Sequence, residues 1–340
     1  QHAGAEPRHA VPHQAAAKPQ HAAAKPQSEE PQAAKLPPLL CEADLVSYAL
    51  MTQRVCEFNW ALNPNLPVND PGVKGANWPD TVSVGGCWNL QLYNTDRYMT
   101  SAVYQHARSK RCVLAISGYH GGQNGFMSTM MAATQPKESW KMCGNELHAP
   151  VVIQFRKHAQ LENWTSIAEF LGGNRSTCRD IVLTGESMGA SVSEMMVGCS
   201  TTGQMGELQP KELPSFDIKA IYTFGAFAIS TSPIKNASSH TGCVEGKRIF
   251  HSADVFSQWA KNIGMHHPQM DAMRLYEMNG VYSYDALKCG NKDAIESDMS
   301  TPSFGLGGPS KGGVVEDAMK MARLMKNDNK VNTLSAHAIP

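Results

Sequence analysis

The sequence has no excess of charge of either sign: its 340 residues include 30 lysines and arginines against 30 aspartates and glutamates. Proteins that bind a polyanion usually present a basic surface, so this balance argues against nucleic acid as a partner. The sequence also lacks any run that approaches the roughly 18 apolar residues needed to cross a bilayer. We therefore expect neither a nucleic-acid partner nor a transmembrane segment.

Paired cysteines are also absent. The nine cysteines are spread singly, with no C-x-x-C pair, which argues against a zinc cluster or a dithiol redox site. They are either buried thiols or up to four disulfides with one cysteine left over. Glycosylation acceptor triplets begin at Asn163, Asn174 and Asn236. These features favour a secreted or lumenal protein, with a reducing compartment as the alternative. Because the sequence begins at Gln1 and shows no signal segment, we expect it to be a processed form.

Large apolar side chains are almost missing from residues 1–38, which consist mainly of Ala, Pro, Gln, Lys and His and contain AAAKPQ twice. Such a segment buries too little surface to offset the entropy lost on ordering. We predict a disordered tail over 1–38 and one globular domain over 39–340.

Within 39–340, apolar patterns typical of helices and strands alternate. Helices are predicted near 41–58 and 162–171, and strands over 97–105, 111–118, 149–155, 180–184, 216–226 and 246–252. Strands that alternate with helices over about 200 residues favour an α/β fold whose sheet is mostly parallel in its centre.

One stretch carries a catalytic motif. An apolar run at 181–183 leads directly into GESMG at 185–189, and an apolar helix face follows. A serine on a sharp strand-to-helix turn, with glycine two places on either side, has its hydroxyl lifted clear of the backbone. We predict that Ser187 is a nucleophile. The alternative is a turn bounded by glycines, with Ser187 as a helix cap.

The stretch resembles the GHSLGGA elbow of the fungal-type (class 3) triacylglycerol lipases. The resemblance extends over about 240 residues in the same order. It includes VLAISGY at 113–119, IYTFGAF at 221–227, RIFHSADVF at 248–256 and NTLSAHAIP at 332–340. It implies an α/β-hydrolase fold, with a mostly parallel central sheet and helices on both faces.

The resemblance also implies a catalytic triad of Ser187, Asp254 and His337. A serine hydroxyl needs an imidazole base, and that base is held in one tautomer by a carboxylate. Asp254 is alternatively a turn aspartate. The alternative for the triad histidine is the pair His266 and His267. His251 is expected to pack on its strand instead.

The oxyanion hole is predicted from backbone N–H groups. Met188 follows the nucleophile at the start of a helix, and Tyr119 falls where the family has its second donor. The segment NGFMSTMMAA at 124–133 matches the family's lid position, with packing of an ordinary core helix as the alternative.

Several residues depart from the family pattern. Glu186 replaces the usual histidine before the serine, Ala190 replaces a glycine, and Phe227-Ala228 stands where the family has Pro-Arg. If Glu186 points into the site, its carboxylate would disfavour anionic substrates.

The sequence thus predicts a serine hydrolase that cleaves carboxylic esters, lipids above all, through an acyl-enzyme. It is expected to need no metal or organic cofactor, and to act on an acyl ester or lipid substrate, with an interface as one setting. The alternatives are a non-catalytic lipid-binding or scaffold relative and an esterase for small soluble esters.

Overall fold

The computed structural model describes residues 45–61, 83–84, 86–96, 99–118, 139–252, 254, 264–278 and 281–291. These residues all lie in the second of the two units into which the chain divides, Gln1–Lys35 and Leu36–Pro340. The predicted tail at 1–38 and the predicted lid at 124–133 fall outside the described residues.

A nine-stranded sheet forms the centre of the fold. In chain order its strands are β1 (Ser83–Val84), β2 (Trp88–Thr95), β3 (Thr100–His106), β4 (Cys112–Ile116), β7 (Ile181–Glu186), β8 (Ile218–Phe224), β9 (Val244–His251), β10 (Met270–Met278) and β11 (Val281–Leu287). A separate hairpin contains β5 (Ser139–Met142) and β6 (Asn145–His148). The helices are α1 (Leu45–Ala61), α2 (Ala149–Ala159), α3 (Glu162–Gly172) and α4 (Ser187–Thr201), followed by a 3₁₀ turn at Met205–Glu207.

The centre of the sheet is parallel and its two sides are antiparallel. The spatial order is β1-β2-β3-β4-β7-β8-β9-β10-β11, and the pairings from β4 through β7, β8 and β9 to β10 are parallel. β1, β2 and β3 join β4 through antiparallel pairs, and β11 pairs antiparallel with β10. In an open α/β sheet, ligands bind outside the carboxyl ends of the parallel strands. That edge is therefore where the site is expected.

Helices cover both faces of this sheet. Alternate residues of a strand point to opposite faces, so Val113 and Ala115 of β4 pack with α1, whereas Leu114 and Ile116 pack in the cluster that contains α2, α3 and α4. Buried strands with apolar side chains on both faces are typical of a parallel sheet. The prediction of an α/β fold, with a mostly parallel central sheet and helices on both faces, is confirmed.

The prediction of a strand over 149–155 is wrong, because this segment forms the first turns of α2. Pro150 stands in the first turn, where its missing N–H costs nothing, and basic side chains fill the last turn, where they complement the helix dipole. The buried residues Val151, Val152, Phe155 and Ala159 follow helical spacing. A short apolar run has no period that separates a strand from a buried helix, which is why the prediction failed.

Disulfides account for most of the cysteines. Bonds join Cys112 to Cys178, Cys143 to Cys199 and Cys243 to Cys289. Cys87 is disulfide-bonded as well, whereas Cys56 is a thiol. Of the two alternatives for the cysteines, disulfides are therefore the correct one, and they are compatible with secretion, because such bonds persist in oxidising compartments. Among the described residues, no helix is long and apolar enough to span a membrane.

Candidate active site

Ser187 lies at the junction between β7 and α4, at the carboxyl edge of the sheet. β7 ends at Glu186 and α4 begins at Ser187, which has a φ of 53°. A residue with a Cβ pays about 1–2 kcal/mol to adopt this left-handed conformation. Such strain is typical of functional sites, where the surrounding structure enforces it. The strand-to-helix turn predicted from GESMG is therefore present, and it is strained at the serine.

The two glycines of the motif allow the turn to pack. A Cβ on Gly185 would lie 2.6 Å from the carbonyl carbon and oxygen of Gly189, across the turn. A Cβ on Gly189 would overlap the backbone carbonyls of Ile116 and Ser117. Backbone atoms have little freedom to move away, so both positions exclude any larger residue. The first turn of α4 consequently rests directly on the end of β4.

The end of β4 contacts the serine itself. A Cβ on Gly118 would lie 3.1 Å from Ser187 Cβ and would overlap Glu186 Oε2. The preceding residue is held by two hydrogen bonds, from Thr100 N–H to Ser117 Oγ (2.9 Å) and from Ser117 N–H to Thr100 O (2.8 Å). Tyr119, the predicted oxyanion donor, follows directly in the sequence and lies outside the described residues.

Met188, the other predicted donor, lies in the first turn of α4, with its side chain buried. The first N–H groups of a helix have no partner within the helix and carry the positive end of its dipole. Glu186 is at the N-cap position and makes no capping hydrogen bond with its side chain in the described part of the chain. The Met188 N–H thus lies where a donor to an oxyanion is needed, although its role stays a prediction.

Asp254 is buried at the same edge of the sheet, 1% exposed. Its N–H donates to the carbonyl of His251, the last residue of β9 (2.9 Å). β7 and β9 flank β8 in parallel register, so Ser187 and Asp254 follow strand ends that face the same way. Burial lowers the pKa of the Arg248 guanidinium to about 10, while attraction to Glu194 and Asp254 opposes that change. A buried cation therefore lies near the predicted triad acid.

The candidate histidines differ in placement. His337 lies outside the described residues. His267 is fully buried, with its Nδ1 2.9 Å from Glu194 Oε2 on α4. His266 pairs through its backbone with Ser230, and His251 is the last residue of β9. A general base must reach the nucleophile and the incoming substrate. The burial of His267 against Glu194 favours a structural pair over that role.

A second Ser-His-Asp arrangement occurs far from GESMG in the sequence. His158 Nδ1 is 2.8 Å from Asp96 Oδ2, and His158 Nε2 is 2.8 Å from Ser101 Oγ. The Asn94 amide also donates to His158 Nε2 (3.1 Å) and to the His158 carbonyl (3.0 Å). No sequence motif predicts this group, because Asn94, Asp96 and Ser101 lie on the β2–β3 hairpin whereas His158 lies in α2.

Its hydrogen bonds match those of a triad, but its surroundings do not. Ser101 lies inside β3, paired with Asn94 of β2 on one side and Ile116 of β4 on the other, and it is 0% exposed. His158 is equally buried. A nucleophile needs a face that the substrate can approach, and Ser187 at its strained turn meets that need better than Ser101 does.

No protein-family model matches the sequence, and no curated protein matches it. Several solved structures of fungal lipases are similar to the chain. Lipase II from Rhizopus niveus is 12% identical at a TM-score of 0.47, over 76% of this chain and 92% of that one. The lipase from Rhizopus microsporus var. chinensis is 13% identical at a TM-score of 0.43, over 76% and 84%. The Lip2 lipase from Yarrowia lipolytica is 14% identical at a TM-score of 0.42, over 73% and 88%.

Proposed function

We propose that the protein is a serine hydrolase that cleaves carboxylic esters, lipid esters among them, with Ser187 as its nucleophile. The observation that carries this proposal is the conformation of Ser187. A serine at φ 53° joins a buried parallel strand to a helix, and glycines hold the turn against the end of β4. This is the geometry that exposes a hydroxyl beside backbone N–H donors.

In the proposed reaction, His337 takes the proton of the Ser187 hydroxyl while the oxygen attacks the ester carbonyl. Asp254 orients the imidazole and stabilises its charged form. The N–H groups of Met188 and Tyr119 bind the oxyanion of the tetrahedral intermediate. Collapse of this intermediate transfers the proton to the departing alcohol and leaves an acyl-Ser187 ester. Water, deprotonated by the same histidine, then hydrolyses that ester and restores the serine.

Lipid esters are favoured by the resemblance of GESMG and its flanking strands to the fungal-type lipases. The segment 124–133 would serve as the lid, with Phe126, Met127, Met130 and Met131 as an apolar face for an acyl chain. The disulfides support a secreted or lumenal location.

Covalent labelling with a neutral alkyl fluorophosphonate tests the proposal, because this reagent phosphonylates an activated serine. The folded protein is expected to be labelled, and Ser187→Ala is expected to abolish the label. Ser101→Ala is the matched control, and its label should persist. Loss of the label in Ser101→Ala alone would assign the nucleophile to the second arrangement. No label in a folded sample would leave the non-catalytic lipid-binding alternative.

The histidine is tested in the same way. His337→Ala is expected to abolish labelling. His267→Ala should lower the free energy of unfolding but leave labelling of the folded protein in place, because it removes the buried partner of Glu194. Loss of labelling in His267→Ala alone, with the fold intact, would contradict the proposed triad. Rates on esters of increasing chain length, measured with and without an interface, then separate a lipase from an esterase for small soluble esters.

A further inference from the structure

Glu186, the residue directly before the proposed nucleophile, directs its side chain toward the α1 face of the sheet. Its alternate neighbour in β7, Thr184, points the same way, with its hydroxyl 2.7 Å from that of Thr52 on α1. One turn further along α1, the thiol of Cys56 donates to Glu186 Oε2 across 3.7 Å. The carboxylate is thus held at the carboxyl edge of the sheet, where substrate arrives.

Gly118 shows how near this carboxylate is to the reacting serine. The point where a Cβ on Gly118 would stand is 3.1 Å from Ser187 Cβ, and Glu186 Oε2 already occupies that same space. The carboxylate oxygen of Glu186 and the Cβ of Ser187 therefore lie on either side of the same small space above Gly118. Gly118 is also the residue before the proposed donor at position 119 in the sequence, so the carboxylate lies one residue before this donor.

Charge at this place acts on the substrate as well as on the serine. Glu186 is half-buried, so water screens its field less than it would at an exposed position. Like charges in a closely packed site repel and opposite charges attract, which makes the carboxylate a selector of substrate charge.

We propose that Glu186 selects neutral or cationic esters and rejects esters that carry a negative group next to the scissile carbonyl. This inference names the substrate class of the same site and rests on the proposed function. It also assigns a role to the glutamate that replaces the histidine of the fungal-type lipase pattern. For an ester with a cationic group near the carbonyl, the carboxylate attracts the substrate. For a matched anionic ester, it repels the substrate and raises the barrier to acylation.

Three fluorophosphonates of one chain length test the inference, with a trimethylammonium, a tert-butyl or a sulfonate group at the same distance from phosphorus. With the unmodified protein, the cationic probe is expected to label Ser187 at least tenfold faster than the anionic probe. In Glu186→Gln this ratio should fall toward one, and the neutral probe measures any change in the reactivity of Ser187 itself. Glu162→Gln is the control, because Glu162 is an exposed glutamate at the start of α3, and its ratio should match that of the unmodified protein.

A second measurement needs no variant, which protects the test if Glu186→Gln fails to fold. Raising the salt concentration from about 0.05 M to 1 M shortens the screening length, so the cationic-to-anionic rate ratio of the unmodified protein should decrease. Equal rates for the charged probes, with the neutral probe still labelling Ser187, would overturn this inference alone. Failure of the neutral probe to label the folded protein would overturn the proposed function, and this inference with it.

Discussion

Replacing His158 with leucine asks whether the Asp96-His158-Ser101 arrangement supports the fold or performs chemistry. Leucine has nearly the volume of histidine and no polar atoms, so the change removes hydrogen bonds without leaving a large cavity. Asp96 loses a bond to its carboxylate worth about 1.5–3 kcal/mol, and Ser101 and Asn94 each lose one worth about 1 kcal/mol. Asn94 keeps its bond to the backbone carbonyl of residue 158. We expect the free energy of unfolding to fall by about 3–5 kcal/mol.

Urea unfolding with the disulfides intact measures this loss as a shift of the midpoint at constant slope. His240→Leu is the control, since His240 is exposed and its replacement should change the unfolding free energy by less than about 0.5 kcal/mol. The rate at which the neutral fluorophosphonate labels folded His158→Leu should stay within about threefold of that of the unmodified protein. A loss of less than about 1 kcal/mol together with abolished labelling would refute the structural role and make His158 a catalytic base.

Three further predictions concern the turn and a disulfide. Gly189→Ala should lower the free energy of unfolding by about 3 kcal/mol or more, because its Cβ would overlap backbone atoms. Thermal unfolding checks this, with Gly206→Ala as the control, because a Cβ at Gly206 meets nothing within 4 Å. Ser187→Gly should be more stable than Ser187→Ala by about 1 kcal/mol, since glycine adopts a positive φ without strain; the opposite order in urea unfolding would refute a strained turn. Replacing both Cys112 and Cys178 with alanine should lower the free energy of unfolding by about 4 kcal/mol, because their bond closes a separation of 66 residues. An unchanged thermal unfolding temperature would contradict this.

The sequence predicted those parts of the fold whose pattern is local. Strand β4 is a run of apolar residues, β8 is mostly apolar, and helix α3 has its buried residues at helical spacing. The segment that became α2 was predicted wrongly, because seven mostly apolar residues satisfy either structure. There the decision depended on packing against α4 and β6, which no window of the sequence contains.

In the candidate site, too, the features that were predicted have a local sequence pattern. The turn at Ser187 could be predicted from GESMG because its steric needs fall on residues two places away. Asp254 was predicted as the triad acid because it follows an apolar strand, and that role stays a prediction. The hydrogen bonds between Asp96, Ser101 and His158 were not predicted, since neither their spacing nor their order forms a motif.

By itself, the sequence determined the alternation of strands and helices, the turn at Ser187 and the glycines this turn requires. These features follow from backbone sterics and from apolar periodicity, which act between residues close together in the chain. Only the tertiary structure decided which disulfides form, and that Glu186 lies against Gly118 and Cys56. Those contacts join residues far apart in the sequence, because parallel strands bring distant segments to one edge of the sheet.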